Sequence, residues 1–311
     1  MASRNVNRPR PSANSDLNRK QGKKPLPEPT HVGHFVSILI ITLCKKTLHI
    51  DTAVKIGVYL CGVLIGSVFS DVFALPKSYF SDKKNFMNRI FVNFGFGWTF
   101  VLLFAYIFLT SFVYCCGDWK KVLQKHVSRL VFTALWWYSM TKFFNYIDSM
   151  IGVCSASVYS RKYDCVKAGK AWLGLDISGH VFLLIHNLLT ISEEVKSFKA
   201  WTQLGLLLKE EDLTSKKNLP ERDISQARVS YMALTPYIKV LIVLLALWTV
   251  FCEFMLIISV VYRFHTMTQK IAAAILAVGC WFITYHVILK TDADLVPSKP
   301  GHSILNYMKL K

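Results

Sequence analysis

Apolar positions in this chain are gathered into long blocks, without the short alternation of a soluble sheet or the half-apolar stripe of a surface helix. Crossing the hydrocarbon core of a bilayer takes about 20 largely apolar residues. Five blocks reach or approach that length: residues 54–75, 90–114, 127–147, 237–262 and 271–289. A sixth, 173–192, qualifies once its small polar opening is counted. The pattern predicts an all-α, polytopic membrane protein whose six transmembrane helices occupy residues 54–290. The block at 32–44 is too short to span. Residues 31–53 are therefore expected to form an interfacial amphipathic segment with Lys45 and Lys46 near its end. Residues 1–30 are basic, Pro-rich and polar and predict a disordered cytosolic tail with no cleavable signal peptide. Residues 291–311 are expected to form a second cytosolic tail.

Charge sets the orientation. The chain has 311 residues, 53% of them hydrophobic, and a net charge of +18. A soluble basic domain or a nucleic-acid binder would not spread its apolar residues over such runs, so no nucleic-acid partner is expected. With six spans, the termini and the loops near 115–126 and 193–236 share one side and carry 23 Lys and Arg, against 10 on the other. The positive-inside rule then places both termini in the cytosol. If 32–44 did span, the N-terminus would move outside and the later helices would keep this orientation. The basic tail is open to two readings, a solvated arm or one weakly drawn to anionic headgroups. Of eight cysteines, only Cys154 and Cys165 fall in an extramembrane loop on the non-cytosolic side. A bridge between them and two free thiols are both open. No Cys-x-x-Cys or His-rich metal spacing occurs, so neither a metal nor a cofactor is expected.

Two histidines sit where a predicted span meets water, on the same, non-cytosolic side. His180 ends Asp176-Ile-Ser-Gly-His180, which has the composition of a helix start. Ser178 or Asp176 can cap the first turn, Gly179 leaves the backbone open, and the N–H groups of that turn form a dock for an anion. His265 lies in Tyr262-Arg-Phe-His265-Thr-Met-Thr-Gln-Lys270, after the fifth span. Imidazole titrates near neutral pH and can act as a nucleophile, so a facing pair would suit phosphoryl transfer. The alternative is two interfacial histidines in capping or loop positions. His186 and His286 read as packing residues. Glu253 lies in the fifth span, where acids are costly, and is expected to be protonated or paired with Lys142. Lys142, Asn145 and Asp148 share a helix face near the non-cytosolic end of the third span. Small residues at Gly57, Gly62, Gly66, Gly95 and Gly97 would let helices approach closely.

These residues together resemble the fat storage-inducing transmembrane (FIT) family of the endoplasmic reticulum. The likeness is carried by Asp176-Ile-Ser-Gly-His180-Val-Phe-Leu-Leu and by Glu193-Glu194 closing that helix. The stretch from Tyr262 to Lys270 also carries it, with Leu75-Pro-Lys-Ser-Tyr-Phe-Ser-Asp-Lys-Lys-Asn85 and Trp98-Thr99. It covers roughly residues 54–289. The resemblance implies a relation to the lipid phosphate phosphatases, with His265 as the nucleophile and His180 as the general acid. It further implies cleavage of the diphosphate of fatty acyl-CoA to acyl 4′-phosphopantetheine and adenosine 3′,5′-bisphosphate, at the lumenal face, in support of lipid-droplet formation. The chain departs from the wider superfamily in three places. The Lys and Arg-Pro motif ahead of the first histidine is absent, Val260 follows Ser259 where Arg is expected, and Gln269 stands where an Asp is expected. With Ser178 and Gly179 at the helix start, Arg263 and Lys270 are the remaining candidates for a phosphate clamp.

Two rival functions stay in view. One is non-enzymatic: the helices would bind diacylglycerol or triacylglycerol and partition neutral lipid into droplets. The other is a transporter built around Glu253 and Lys142, which would call for an inverted repeat that the hydropathy pattern lacks.

Overall fold

A computed structural model describes residues 32–73, 75–76, 78–82, 85–92, 94–209, 220–291 and 296–305. The expected tail at 1–30 lies outside the described residues, as does about half of the tail expected at 291–311. The chain divides into two units, Met1–Ile38 and Leu39–Lys311. Among the described residues, the first holds only the opening turns of helix α1 (Val32–Leu48), and the second holds the bundle.

Among the described residues, six helices of 16 residues or more follow α1. They are α2 (Thr52–Val72), α3 (Gly95–Tyr114), α5 (Ser128–Ile151), α7 (Gly179–Glu194), α9 (Glu221–Val261) and α10 (Met267–Phe282). Shorter pieces join them: the single turn α4 (Trp119–Lys121), α6 (Lys162–Lys167) and α8 (Trp201–Leu207). A two-residue antiparallel pair, β1 (Val153–Cys154) with β2 (Trp172–Leu173), closes the excursion between α5 and α7. Local signals explain the borders. Asp51 accepts the Ala53 N–H at 2.8 Å to start α2. Pro220 precedes α9, whose first turn carries Glu221 and Asp223 against the positive end of the dipole.

Four of these helices are long and apolar enough to cross a membrane: Thr52–Val72, Gly95–Tyr114, Glu221–Val261 and Met267–Lys290, the last running through a π-helical and a 3-10 turn. The chain is thus a polytopic membrane protein. Helix α5 has 24 residues, about 36 Å, but carries Thr141, Lys142, Asn145, Asp148 and Ser149 toward one end. Helix α7 has 16 residues, about 24 Å, and every residue from Val181 to Glu194 is buried. It is the hub of the bundle, packed by α2, α3, α5, α9 and α10. Enclosure by protein on all sides is what lets so polar a helix (His186, Asn187, Thr190, Ser192, Glu193, Glu194) sit at the centre.

Polar ties clamp the two ends of the bundle. At one end, Arg129 of α5 grips Glu194 of α7 through two bonds, Nε to Oε1 at 2.9 Å and Nη2 to Oε2 at 2.7 Å. Tyr285 donates to the same Oε1 at 2.9 Å, and Arg129 Nη1 reaches the Ser298 carbonyl at 2.8 Å. The segment 296–305 is therefore docked, with Ser303 Oγ on the Tyr114 carbonyl at 3.1 Å and Leu305 fully buried. At the other end, Arg263 donates to the carbonyls of Ser70 and Asp71, and Lys270 Nζ donates to Ser70 Oγ at 3.0 Å and to the Val260 carbonyl at 2.6 Å.

Three expectations change here. Within the loop expected at 193–236, the described residues are largely helical: Trp201, Leu204 and Leu207 are buried in α8, and α9 begins at Glu221, passing through Pro236 without ending. Its turns ahead of Pro236 are held by packing, with Ile224 and Ala227 buried and Trp201 Nε1 on Thr235 Oγ1 at 3.2 Å. Glu253 does not pair with Lys142. Its Oε1 accepts from Tyr59 of α2 at 2.8 Å, while Lys142 lies over the Tyr138 ring of its own helix. Of the small residues, Gly66 makes a close approach, since a Cβ there would sit 2.7 Å from Val260 Cγ1. Gly57, Gly62 and Gly97 have nothing within 4 Å.

Candidate active site

Two helix starts build the site. Ser178, fully buried, caps α7 by accepting the Val181 N–H at 3.4 Å, which places His180 in the first turn, where backbone N–H groups lack helical partners. Helix α9 stops at Tyr262, and the chain turns through Phe264 and His265 into α10. That entry is a full capping box: Thr266 Oγ1 accepts the Gln269 N–H at 3.5 Å, and Gln269 Oε1 accepts the Thr266 N–H at 2.9 Å. The two starts are tied by the Ser178 N–H, which donates to the Gln269 carbonyl at 3.4 Å. Gln269, where the superfamily has an acid, is thus committed to capping.

The orienting contact comes from the segment that leads into α7. His265 Nδ1 lies 2.9 Å from the Asp176 carbonyl oxygen and 3.6 Å from the Asp176 carboxylate. A carbonyl oxygen can only accept, so the proton belongs on Nδ1, and in the neutral ring the Nε2 lone pair is the nucleophilic one. The imidazolium that forms transiently would be stabilised by the carboxylate beside it. The His265 side chain is 11% exposed, against 66% for Asp176.

Both histidines wall the same two cavities. One is a small chamber of about 60 Å³, closed by Phe80, Asn85, Asn88, Ser259 and Phe264 with His180 and His265. The other is an open groove of about 410 Å³ that passes Asp176, Gly179, His180 and His265 and runs down between α7 and α5. A small chamber, mostly apolar (Phe80, Met255, Ile258, Phe264) but bordered by two imidazoles beside a helix N-terminus, places a nucleophile and a proton donor at one space, the two groups that phosphoryl transfer needs.

The expected site residues divide accordingly. His180, His265 and Gly179 border the cavities, whereas Ser178 serves as the cap beneath them. Arg263 and Lys270 are not brought to either cavity, since both are spent on α2 as described above. His186 is a packing residue, stacked on Phe182 at 5.6 Å with Nε2 3.2 Å from the Thr133 carbonyl. Cys154 and Cys165 are joined by a disulfide, which pins β1 to α6 beside the site. Lys162 pairs with Asp148, and Trp172 Nε1 donates to the Asp148 carbonyl at 3.1 Å, so the excursion is fastened to the end of α5. Of Asn145 and Lys142, the two residues of the third span that could line the same pocket, Asn145 borders the groove and Lys142 does not, whereas Asp176 as orienter and Asn85, Asn88 and Trp137 as lining have no signal in the sequence. Asn85 lay inside the quoted 75–85 run, yet nothing local shows that this loop folds over the histidines.

The structure thus brings two sequence-remote histidines together at one end of a helical membrane bundle. Comparison with known proteins narrows the class. The family described as "Fat storage-inducing transmembrane protein" matches residues 76–152 and 146–285. Acyl-coenzyme A diphosphatase FITM2 of Drosophila melanogaster is 31% identical over 306 residues, covering 94% of this chain and 72% of the relative. The proteins of the same name from Xenopus laevis and Homo sapiens are 31% identical over 253 residues (78% and 86% covered) and 30% identical over 231 residues (72% and 78% covered). No solved structure matches. The chain belongs to the fat storage-inducing transmembrane protein family.

Proposed function

We propose that this chain is an acyl-CoA diphosphatase. His265 Nε2 attacks one phosphorus of the diphosphate, and the bridging oxygen leaves with the other phosphate, taking a proton from His180. A water then cleaves the N–P bond, with His180 as base, so that acyl-CoA and water give acyl 4′-phosphopantetheine and adenosine 3′,5′-bisphosphate. The observation that carries this reading is the shared chamber, in which two sequence-remote histidines face one space and His265 Nδ1 is held by Asp176. Backbone N–H groups at the start of α7 supply the positive end for the phosphate, a role in which Arg263 and Lys270 take no part.

We further infer that all six long helices cross the endoplasmic-reticulum membrane, with both termini cytosolic and the histidines lumenal. The basic-residue tally supports this orientation. So does the Cys154–Cys165 bridge in the excursion next to His180, because disulfides persist in oxidising compartments. The test is hydrolysis of a long-chain acyl-CoA by the purified full chain. Replacing His265 or His180 by Ala should lower turnover by roughly 10²–10⁴; turnover that survives either change overturns the assignment.

A second reading rests on a separate feature. A groove of about 370 Å³ between α2 and α9 is lined by Val58, Gly62, Val63, Leu256 and Ile257 around the Tyr59–Glu253 pair. An apolar slot with one hydroxyl-binding spot suits diacylglycerol or triacylglycerol. Neutral-lipid binding and droplet growth that survive the double change His180→Ala with His265→Ala would favour it over hydrolysis.

A further inference from the structure

The larger cavity at the histidines has a direction. From Asp176, His180 and His265 at its rim it descends along one face of α5, past Asn145, Thr141 and Trp137. These three stand at i, i+4 and i+8 and so form a single stripe, about 12 Å long by helix rise. The opposite wall is Phe182 and Leu183 of α7. Polarity falls along this path, from the ionisable rim, through an amide and a hydroxyl, to aromatic and aliphatic side chains.

The fittings of the stripe are specific. Asn145 Nδ2 donates to the Thr141 carbonyl at 3.0 Å, which fixes the side chain and leaves its Oδ1 as an acceptor for an N–H donor. Thr141 Oγ1 donates to the Trp137 carbonyl at 2.7 Å. Trp137 lies flat on Phe96 of α3, with ring centroids 4.8 Å apart and planes within 1°. The foot of the groove is thus a rigid aromatic platform, and its middle is a polar step on an otherwise apolar wall. Packing would not require Asn145 there, since the residue is exposed.

We propose that this groove receives the pantetheine arm and the first part of the acyl chain of the substrate, so that Asn145 and Trp137 determine specificity. The inference rests on the diphosphatase reading. The diphosphate sits between the histidines and has two arms. One is a nucleotide that belongs in water; the other carries two secondary amides and ends in a hydrocarbon tail that belongs in the bilayer. This groove leads from the histidines along α5, open on one side, and presents an amide acceptor before its apolar foot, in the order in which the second arm would meet them. The slot between α2 and α9 shares no lining residue with the histidine cavities.

The test separates the two arms by binding the two products to the full chain in nanodiscs. The probes are a soluble short-acyl 4′-phosphopantetheine and adenosine 3′,5′-bisphosphate, measured by equilibrium dialysis. Asn145→Leu and Trp137→Ala should each weaken the acyl 4′-phosphopantetheine by roughly tenfold or more and leave the nucleotide unchanged. Trp137→Phe should stay near wild type because it keeps the stack on Phe96. In turnover, KM for acyl-CoA should rise far more than kcat falls. Equal weakening of both products, or of neither, overturns the groove assignment while leaving the diphosphatase reading intact if wild type still hydrolyses acyl-CoA. A wild-type chain that neither hydrolyses acyl-CoA nor binds either product removes both.

Discussion

Replacing Glu194 by Ala tests the packing logic of the whole bundle. Glu194 and Arg129 side chains are 1% and 3% exposed, and the guanidinium is bound at every edge: to both Glu194 oxygens, to the Ser298 carbonyl and to His126 Nδ1. Removing the carboxylate strands a buried cation and takes the acceptor from Tyr285, a loss of about 3–5 kcal/mol for breaking one partner of a buried pair. At this chain length that corresponds to a drop in Tm on the order of 10 °C. The assay is thermal unfolding of the purified protein in detergent, followed by tryptophan fluorescence. Changing both partners, Arg129→Met with Glu194→Met, should be markedly less harmful than either single change, because no charge is left unpaired. Because Glu194 ends the helix whose first turn holds His180, the single variant should also lose activity well below its melting point. A Glu194→Ala chain within about 1 kcal/mol of wild type would refute the reasoning, since the pair would then be behaving as a solvated surface bridge.

Two further outcomes follow from the same geometry. Asp176→Asn keeps the carbonyl on His265 Nδ1 and removes only a largely exposed carboxylate at 3.6 Å, so kcat should fall by about tenfold or less, whereas His265→Ala should be far more damaging. A larger loss for Asp176→Asn would mean that the carboxylate does more than steady the ring. His126 is held neutral: burial, then the Arg129 charge, then His302, push its pKa from 6.5 down to about 2. The unfolded chain takes up that proton below about pH 6.5 while the folded chain does not, so stability falls as pH drops from there toward 2. His126→Asn should flatten that part of the pH–Tm curve, and an unchanged acid slope would show that other groups set it.

How far the sequence carried this picture depends on the element. Block length alone located α2, α3, α10 and the apolar half of α9, because a helix long enough to cross a bilayer must be apolar over about 20 residues. The borders shifted where packing overrode local signals. Pro236 reads as a helix end, yet burial of Ile224, Ala227 and Ile238 on either side of it holds one helix of 41 residues. Helix α7 gave a weak signal because its polar residues are tolerable only when other helices enclose it, a tertiary condition. Both histidines were legible from their helix-boundary settings. The group that orients His265 was not: Asp176 and His265 lie 89 positions apart, and Gln269, which stands where an Asp is expected, is used for capping. Adjacency misled at Arg263 and Lys270, whose side chains turn back to the end of α2. Glu253 found its partner, Tyr59, 194 positions away rather than on α5.

Trapping the covalent intermediate tests the central claim most directly. Acyl-CoA labelled in its diphosphate, mixed with the full chain and quenched within a turnover in base, should leave an acid-labile phosphoramidate that maps to His265. His265→Ala should abolish it, and His180→Ala should slow its formation. Label on any other side chain, or steady hydrolysis by the His265→Ala chain with no label at all, would contradict a site in which His265 attacks phosphorus while His180 protonates the departing oxygen.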